Sequence, residues 1–498
     1  MPSNNSLKKN VVANYTSQIY STIVSILFFP LYLKYLGAES YGLIGFFAMM
    51  QVWFALLDFG LSPLISRETT RYKSGALKQS EYYSLLKSLA FVFFIIGLIG
   101  YLSIYFLSAF ISRDWFELEL LSTEVVSNSI QIMGGVVVFR WLSGLLRGIL
   151  IGNEKFVSLA LINITFNSLR FIGVFGSFWL FDFKIEVFFF HQLVVGFLEL
   201  ICLAFCNRKL IPNKPKNATL LKIDFRPLKL RLGFSLSVAF TSSVWVFVTQ
   251  TDKLILSGML ELSEYGYFSL AVMVANAVII LNSPITAAIL PRLTSHHAKG
   301  LNAELTKLYA QTTKVTALIS GTAALTLAVF PDEILFVWTG DQEVVKNTSD
   351  IMSIYAVGNF FLIFSSFASL LQTAIGNLKL HLIGSGLLLT IGVPSILISA
   401  VYFGASGAAW AWLVVNFFYL TGYVTFTHYK LLKKIAYSWI FRVIVYSVMP
   451  ILVLITSSML FNNIESRFYN FLLISISALA ALIFNFVFLK KVDRLIQD

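Results

Sequence analysis

The chain has 498 residues, of which 57% are hydrophobic and 12% are charged, and its formal net charge is +12. Soluble domains carry roughly 25% charged residues, so this composition excludes a water-soluble globular fold. The only two cysteines, Cys202 and Cys206, exclude a disulfide framework. The basic residues fall mostly in short loops between apolar runs, which indicates membrane topology and no nucleic-acid binding.

The apolar runs predict an all-α integral membrane protein with about fourteen transmembrane helices, because one crossing needs roughly 20 apolar residues. The first run exceeds the length of a signal-peptide core, and we interpret it as a retained helix. The predicted spans in chain order are 11–36, 41–65, 82–110, 124–149, 156–180, 186–206, 231–257, 265–290, 308–330, 349–375, 380–402, 405–428, 438–461 and 467–490.

The loops between these spans alternate in charge. The even-numbered loops are basic, and the richest of them runs from Asn207 to Leu230. The odd-numbered loops are acidic, as at Asp114, Glu117 and Glu119. By the positive-inside rule, this alternation predicts that both termini are cytoplasmic.

A repeated motif predicts two lobes. Residues 36–42 read LGAESYG and residues 260–266 read LELSEYG, each after a helix that runs outward. An even number of spans separates the two copies, so the lobes are predicted to be parallel repeats. The predicted organisation is an N-terminal lobe at 1–206, a basic cytoplasmic linker at 207–230, a C-terminal lobe at 231–428, and two further helices with a tail at 429–498. The linker is either a long positive-inside loop or a lipid-headgroup contact.

Four helices of the first lobe carry polar side chains along one face. These are Asn14, Gln18, Ser21 and Ser25 on the first span, Gln51 and Asp58 on the second, Arg140, Gly144 and Arg147 on the fourth, and Asn163, Asn167 and Arg170 on the fifth. Polar groups at bilayer depth are costly, so these faces are predicted to line a shared water-filled cavity. Arginine suits phosphate, because its planar fork matches phosphate oxygens bidentately.

The sequence therefore predicts a cavity that binds an anionic cargo, with no catalytic, metal or cofactor site. The predicted cargo-binding residues are Arg140, Arg170, Arg147, Asp58, Asn163, Asn167, Gln18 and Lys253. Asp58 and Asp252 are candidates for ion coupling. His191 and Glu199, on the sixth span, are left out of the site.

Structural alternatives stay open for most of these residues. Arg140 and Arg170 are also suited to an ion pair that holds helices together, with Asp58 as a candidate partner. Arg147 would serve equally as an orientation signal near the end of its helix, and Lys253 would reach the membrane interface by snorkelling. The asparagine and serine faces are also typical of helix packing in membranes.

Four short motifs carry a family resemblance over essentially the whole chain. They are the YLGxxxYG turn at 35–42, DFGLS at 58–62, TDKxxL at 251–256 and GASGAAWAW at 404–412. With them, the chain resembles the Wzx-type O-antigen flippases of the polysaccharide transporter family. That family shares a superfamily, the MOP superfamily, with the MATE multidrug exporters and the lipid II flippase MurJ.

The resemblance implies two lobes around a central cationic cavity in the bacterial inner membrane. It also implies transport of an undecaprenyl-pyrophosphate-linked oligosaccharide repeat unit, of O-antigen or capsule type, to the periplasmic leaflet by alternating access. Membrane lipids and other polysaccharide assembly proteins, such as a polymerase and a chain-length regulator, are the further expected partners. Two rival functions are a MATE-like drug or cation antiporter and a membrane glycan polymerase or ligase. The enzyme is disfavoured because the longest predicted outside loop, 331–348, holds no histidine or arginine.

Overall fold

A computed structural model describes residues 4–213, 224–432, 436–459 and 466–497. The described chain is almost entirely helical, and one isolated β-bridge joins Glu117 and Glu261. Twelve helical elements in it are long and apolar enough to cross a membrane. The predicted all-α membrane fold is thus confirmed. Lys214, Lys216, Lys222, Lys433 and Lys434, basic residues of the predicted loops, lie outside the described residues.

The chain divides into two compact units. The first comprises residues 1–250 and 257–266, and the second comprises 251–256 and 267–498. The domain limits given above from sequence stay a prediction. In the first part of the chain the helices are α1 (Asn4–Leu36), α2 (Ala38–Ala55), α3 (Leu61–Lys73), α4 (Gln79–Phe110), α5 (Thr123–Gly152), α6 (Phe156–Ser168), α7 (Val174–Phe181), α8 (Ile185–Asn207), α9 (Arg226–Lys229) and α10 (Leu232–Leu256).

The remaining helices belong almost wholly to the second unit. They are α11 (Leu262–Ala298), α12 (Asn302–Thr316), α13 (Thr322–Val329), α14 (Pro331–Thr339), α15 (Gln342–Ile375), α16 (Lys379–Leu387), α17 (Val393–Phe418), α18 (Thr425–Leu431), α19 (Ala436–Ser458) and α20 (Arg467–Gln497). Their apolar core centres on α12, α13, α15 and α19, with Trp439 fully buried in it. The predicted outside loop at 331–348 contains the short helix α14, with proline at its first position, and the first turns of α15.

The span count agrees with about fourteen crossings. One of the twelve elements, Lys379–Leu431, is 53 residues long, which is more than twice what one crossing needs. It turns at Gly404, where φ is 61° and the backbone is not helical. Gly404 lies in the short gap between the predicted spans 380–402 and 405–428. α10, with 25 residues, is a further helix of spanning length.

The second predicted span, 41–65, is not continuous. α2 ends in a short 3₁₀ turn at Leu56–Asp58, and α3 begins at Leu61. Between them Phe59 and Gly60 are left-handed, with φ of 43° and 70°. Left-handed residues cannot continue a right-handed helix, so the chain breaks here. The DFG sequence at 58–60 is therefore a helix break, and Asp58 lies at a helix end.

Small residues let α3 approach α5 closely. Gly144, Gly148 and Gly152 lie one turn apart on α5 and face α3. A Cβ on Gly144 would lie 3.0 Å from the Ser62 hydroxyl, and one on Gly148 would lie 3.0 Å from the Ser62 carbonyl oxygen. This four-residue spacing of small residues is the usual means of close packing between membrane helices. It places the polar face of α5 beside the α2–α3 break.

An ion-pair network around the fully buried Glu68 ties the start of α10 to α3 and α4. Arg231 donates to Glu68 at 2.7 Å and to Glu81 at 2.6 Å, and Glu68 also pairs with Arg71.

Arg231→Ala should lower the stability of the folded protein by about 2 to 3 kcal/mol, because fully buried Glu68 would keep only half-exposed Arg71. Thermal unfolding in detergent measures this loss. Lys73→Ala is the control, since its pair with Glu154 is exposed on both sides and contributes little. Equal melting temperatures for the two variants would contradict the structural role of Arg231.

Candidate functional site

A cavity of about 320 Å³ beside α2, α3 and α5 is lined by an arginine, Arg140, that forms no ion pair with the described residues. The Arg140 guanidinium donates to the side-chain oxygen of Gln51 and lies over the Phe47 ring, 5.9 Å from its centroid. Its Nε–H is buried and has no acceptor among the described residues. The cavity lining is Gln51, Phe54, Ala55, Asp58, Ser62, Val137, Arg140, Trp141 and Gly144. We call this space the Arg140 cavity.

Asp58 lines the Arg140 cavity, but its hydrogen bonds are made to the start of α3. Its carboxylate accepts from the Ser62 backbone N–H at 3.1 Å and from the Ser62 hydroxyl at 2.7 Å. The first N–H groups of a helix have no partner within the helix, and a carboxylate satisfies them well. Asp58 is thus held at the start of α3 by hydrogen bonds, and it does not pair with Arg140 or Arg170 in the described structure.

Two further arginines share one carboxylate. Glu199 of α8 accepts from Arg147 of α5 through one oxygen and from Arg170 through the other, the latter at 2.5 Å. Arg147 also donates to the Asn163 side-chain oxygen at 2.6 Å. We call Arg147, Arg170 and Glu199 the Glu199 trio. Arg140 is within electrostatic range of all three members, so three cations and one anion form a cluster with positive charge in excess.

A π-helical turn at Leu169–Gly173 carries Arg170. A π turn displaces the normal helical hydrogen bonds, and such turns are frequent at functional sites. Three side chains bind the carbonyl oxygens of this turn: His191 that of Leu169 at 2.9 Å, Gln192 that of Arg170 at 3.1 Å, and Tyr32 that of Phe171 at 2.8 Å. The turn is therefore fixed from α8 and α1, and with it the direction of the Arg170 side chain.

Two predicted residues, Asn167 and Gln18, form no hydrogen bond with the arginines in the described structure. Asn167 donates to the Ser21 hydroxyl at 2.6 Å and so joins α6 to α1. Gln18 is exposed on α1. The polar face of α1 thus contributes at least partly to helix packing, one of the two alternatives open from sequence.

In the second unit, Asp252 is buried and accepts from the Tyr355 hydroxyl at 2.5 Å. The Lys253 ammonium lies 3.7 Å from the same carboxylate. Near them Asn359 accepts from the Trp412 indole N–H and donates to Asn276, each at 3.0 Å. The described residues of this unit thus join α10, α11, α15 and α17 through polar side chains. In the described ranges no cluster of three or more histidine, cysteine, aspartate or glutamate residues is arranged to hold a metal ion.

Glu199 is the residue that sequence reasoning undervalued. It lies in an apolar helix, and its polar neighbours at helical spacing, Gln192 and His191, were not counted among the polar faces of the first lobe. The available signal was the cost of burying one carboxylate, which demands a cationic partner. Arg147 and Arg170, on the two preceding predicted spans, are the cationic partners that the sequence offered for it.

The comparisons with known proteins agree with this architecture. The family model described as "Polysaccharide biosynthesis protein" matches residues 7–297. No curated protein sequence matches the chain significantly.

Solved structures similar to the chain are transporters. The lipid II flippase MurJ, in an inward closed conformation, is 19% identical, with 97% of this chain and 99% of MurJ covered and a TM-score of 0.73. An inward-facing MATE multidrug transporter of the MOP superfamily is 15% identical over 84% of this chain and 98% of its own, with a TM-score of 0.66. A MOP superfamily transporter from Pyrococcus furiosus, described as having a binding pocket of reverse polarity, is 16% identical over 85% and 96%, with a TM-score of 0.54. At these identities the likeness shows the fold alone.

Proposed function

The chain belongs to the polysaccharide biosynthesis protein family and is a multi-pass membrane protein with the fold of MOP-superfamily transporters, and on this premise we propose that it is a flippase. Its cargo is an undecaprenyl-pyrophosphate-linked oligosaccharide repeat unit, of O-antigen or capsule type. The protein moves this unit from the cytoplasmic to the periplasmic leaflet of the bacterial inner membrane by alternating access, with both of its own termini in the cytoplasm.

The observation that carries the proposal is the unpaired charge of Arg140. A guanidinium in a cavity inside a membrane fold is costly unless an anion neutralises it. Arg140 has only the neutral Gln51 as a hydrogen-bond acceptor among the described residues, and its Nε–H is unused. The diphosphate of the cargo supplies both the missing charge and the missing acceptors, since arginine and phosphate match in geometry.

The hydrogen bonds and ion pairs of the carboxylates in the first unit support an anionic cargo over the cationic cargo of a drug antiporter. A cation-binding cavity needs a carboxylate that is free to receive the cargo. In the described first unit, Asp58 is engaged by Ser62 at the start of α3, and Glu199 is engaged by two arginines. We therefore assign cargo binding to Arg140, Arg147, Arg170 and Asn163.

The membrane potential favours the proposed direction of transport. The diphosphate carries about two negative charges, and each charge moved across the membrane gains roughly 2.3 kcal/mol per 100 mV when the inside is negative. Ion coupling through Asp58 or Asp252 would add to this driving force. If Asp58→Asn leaves the transport rate and its pH dependence unchanged, Asp58 has no role in ion coupling.

The test is the fate of lipid-linked repeat units in cells without this protein. The units should accumulate in the cytoplasmic leaflet, where a membrane-impermeant glycan-oxidising reagent reaches them in inside-out vesicles but not in right-side-out ones. Expression of the wild-type chain should restore access from the periplasmic side. Normal flipping in the deletion strain would refute the flippase. Flipped units that fail to polymerise would point to the polymerase or ligase instead.

A further inference from the structure

In the Glu199 trio, the Glu199 carboxylate contacts the two arginines in the way that a bound phosphate would. One carboxylate places an oxygen on each of two guanidinium groups, from Arg147 and from Arg170. A phosphate binds arginines in the same manner, because its oxygens accept from the same N–H donors. The two Glu199 oxygens therefore occupy the positions that diphosphate oxygens of the cargo would take on these two arginines.

The burial of the trio shows from which side an anion would enter. The Glu199 and Arg170 side chains are 3% and 7% exposed, whereas that of Arg147 is 28% exposed. Arg147 also lies in electrostatic range of Arg140, whose cavity is open to a ligand. An anion at Arg140 would thus act on both arginines of the trio, of which Arg147 is the more exposed, and it would take over their N–H donors only where Glu199 gives up its contacts.

We propose that Glu199 is an internal counter-ion that competes with the diphosphate of the cargo for Arg147 and Arg170, and that this competition keeps binding weak enough for release. The inference rests on the proposed function, since it concerns the same site and the same cargo. Without Glu199, the diphosphate would face three arginines, and Asp58 would be the one carboxylate left in the described lining of the Arg140 cavity. A transport site has to bind its cargo and also let it go, and excess binding energy at one stage slows the next.

The experiment measures binding and turnover of Glu199→Gln, which keeps the shape of the side chain and removes its charge. The probe is farnesyl pyrophosphate, with farnesol as the uncharged reference, titrated against the full-length protein in nanodiscs. Glu199→Gln should bind farnesyl pyrophosphate at least about tenfold more tightly than wild type, because a neighbouring anion has been removed. Flipping of the repeat unit should show a lower KM together with a lower kcat.

Matched variants separate charge from structure. Glu186→Gln, on the same helix, forms no ion pair among the described residues and should behave as wild type. Glu199→Asp keeps the charge and should bind the probe with nearly the wild-type affinity. If Glu199 only held helices together, Glu199→Gln would lose stability and bind the probe no better than wild type. That result would overturn the inference.

A second comparison covers the case in which Glu199→Gln does not fold. Glu199→Gln combined with Arg147→Gln removes one charge of each sign. Tighter probe binding by this pair than by Arg147→Gln alone supports the competition, and equal or weaker binding refutes it. Failure of the proposed function looks different, because wild type itself would then show no preference for farnesyl pyrophosphate over farnesol.

Discussion

Arg140→Ala should reduce the rate at which lipid-linked repeat units reach the periplasmic leaflet by about tenfold or more, at an unchanged amount of protein in the membrane. The Arg140 cavity would lose its positive charge and its unused Nε–H, and hydrogen bonds to a charged group contribute roughly 1.5 to 3 kcal/mol each. A loss of about 1.4 kcal/mol already corresponds to a factor of ten. Folding should be little affected, because Arg140 has no ionic partner to leave unpaired in the described structure.

Two variants distinguish the shape of Arg140 from its charge. Arg140→Lys keeps the charge but loses the planar fork, so it should restore part of the rate lost in Arg140→Ala. Arg113→Ala is the control, since Arg113 is exposed at the end of its helix and outside the cavity. The comparison uses initial rates in vesicles with equal protein content. Wild-type rates for Arg140→Ala would remove this residue from the cargo site.

Much of the fold could be predicted because membrane helices are specified by length and composition. The hydrocarbon core requires about 20 apolar residues per crossing, and the chain repeats that run regularly. The turn at Gly404 falls between the spans 380–402 and 405–428 that were predicted from length, and glycine adopts the positive φ that an abrupt change of direction needs. The polar face of α5, with Arg140 and Arg147 at helical spacing, followed from periodicity in the same way.

The α2–α3 break could not be predicted by the same reasoning. An apolar run of 25 residues across 41–65 satisfies every criterion for one span, and hydropathy does not register backbone conformation. The break depends on a left-handed phenylalanine, Phe59, which is uncommon for a bulky residue. Asp58 and Ser62 stabilise the new helix start by hydrogen bonds that no periodic pattern signals.

The Glu199 trio was missed because it joins three separate segments. Periodicity groups residues that share one helix, whereas Arg147, Arg170 and Glu199 come from α5, the π turn and α8. Their contact depends on how those segments pack, and on the extra residue that the π turn inserts before α7. Charge complementarity was present in the sequence, but a single sequence does not say which arginine meets which carboxylate.

The repeated motif has a packing role that gives the sharpest prediction for stability. Gly42 and Gly266 end the two copies, and in the first unit the second copy packs on the first. A Cβ on Gly266 would lie 2.6 Å from the Ala38 carbonyl oxygen and 3.1 Å from the Gly42 nitrogen, both of them backbone atoms. Backbone cannot move aside as a flexible side chain can. Glycine is therefore required on both sides of this contact for steric reasons.

Gly266→Ala should cost about 3 kcal/mol of folding stability, at the upper end of what overpacking usually costs. Gly176→Ala is the matched control, because Gly176 is also helical, is exposed, and has nothing within 4 Å of its added Cβ. In a helix, alanine is more favourable than glycine by about 1 kcal/mol, so the control should be neutral or stabilised. The two substitutions add the same methyl group and should shift the melting temperature in opposite directions. Equal shifts would mean that the two copies of the motif do not pack as the structure has them.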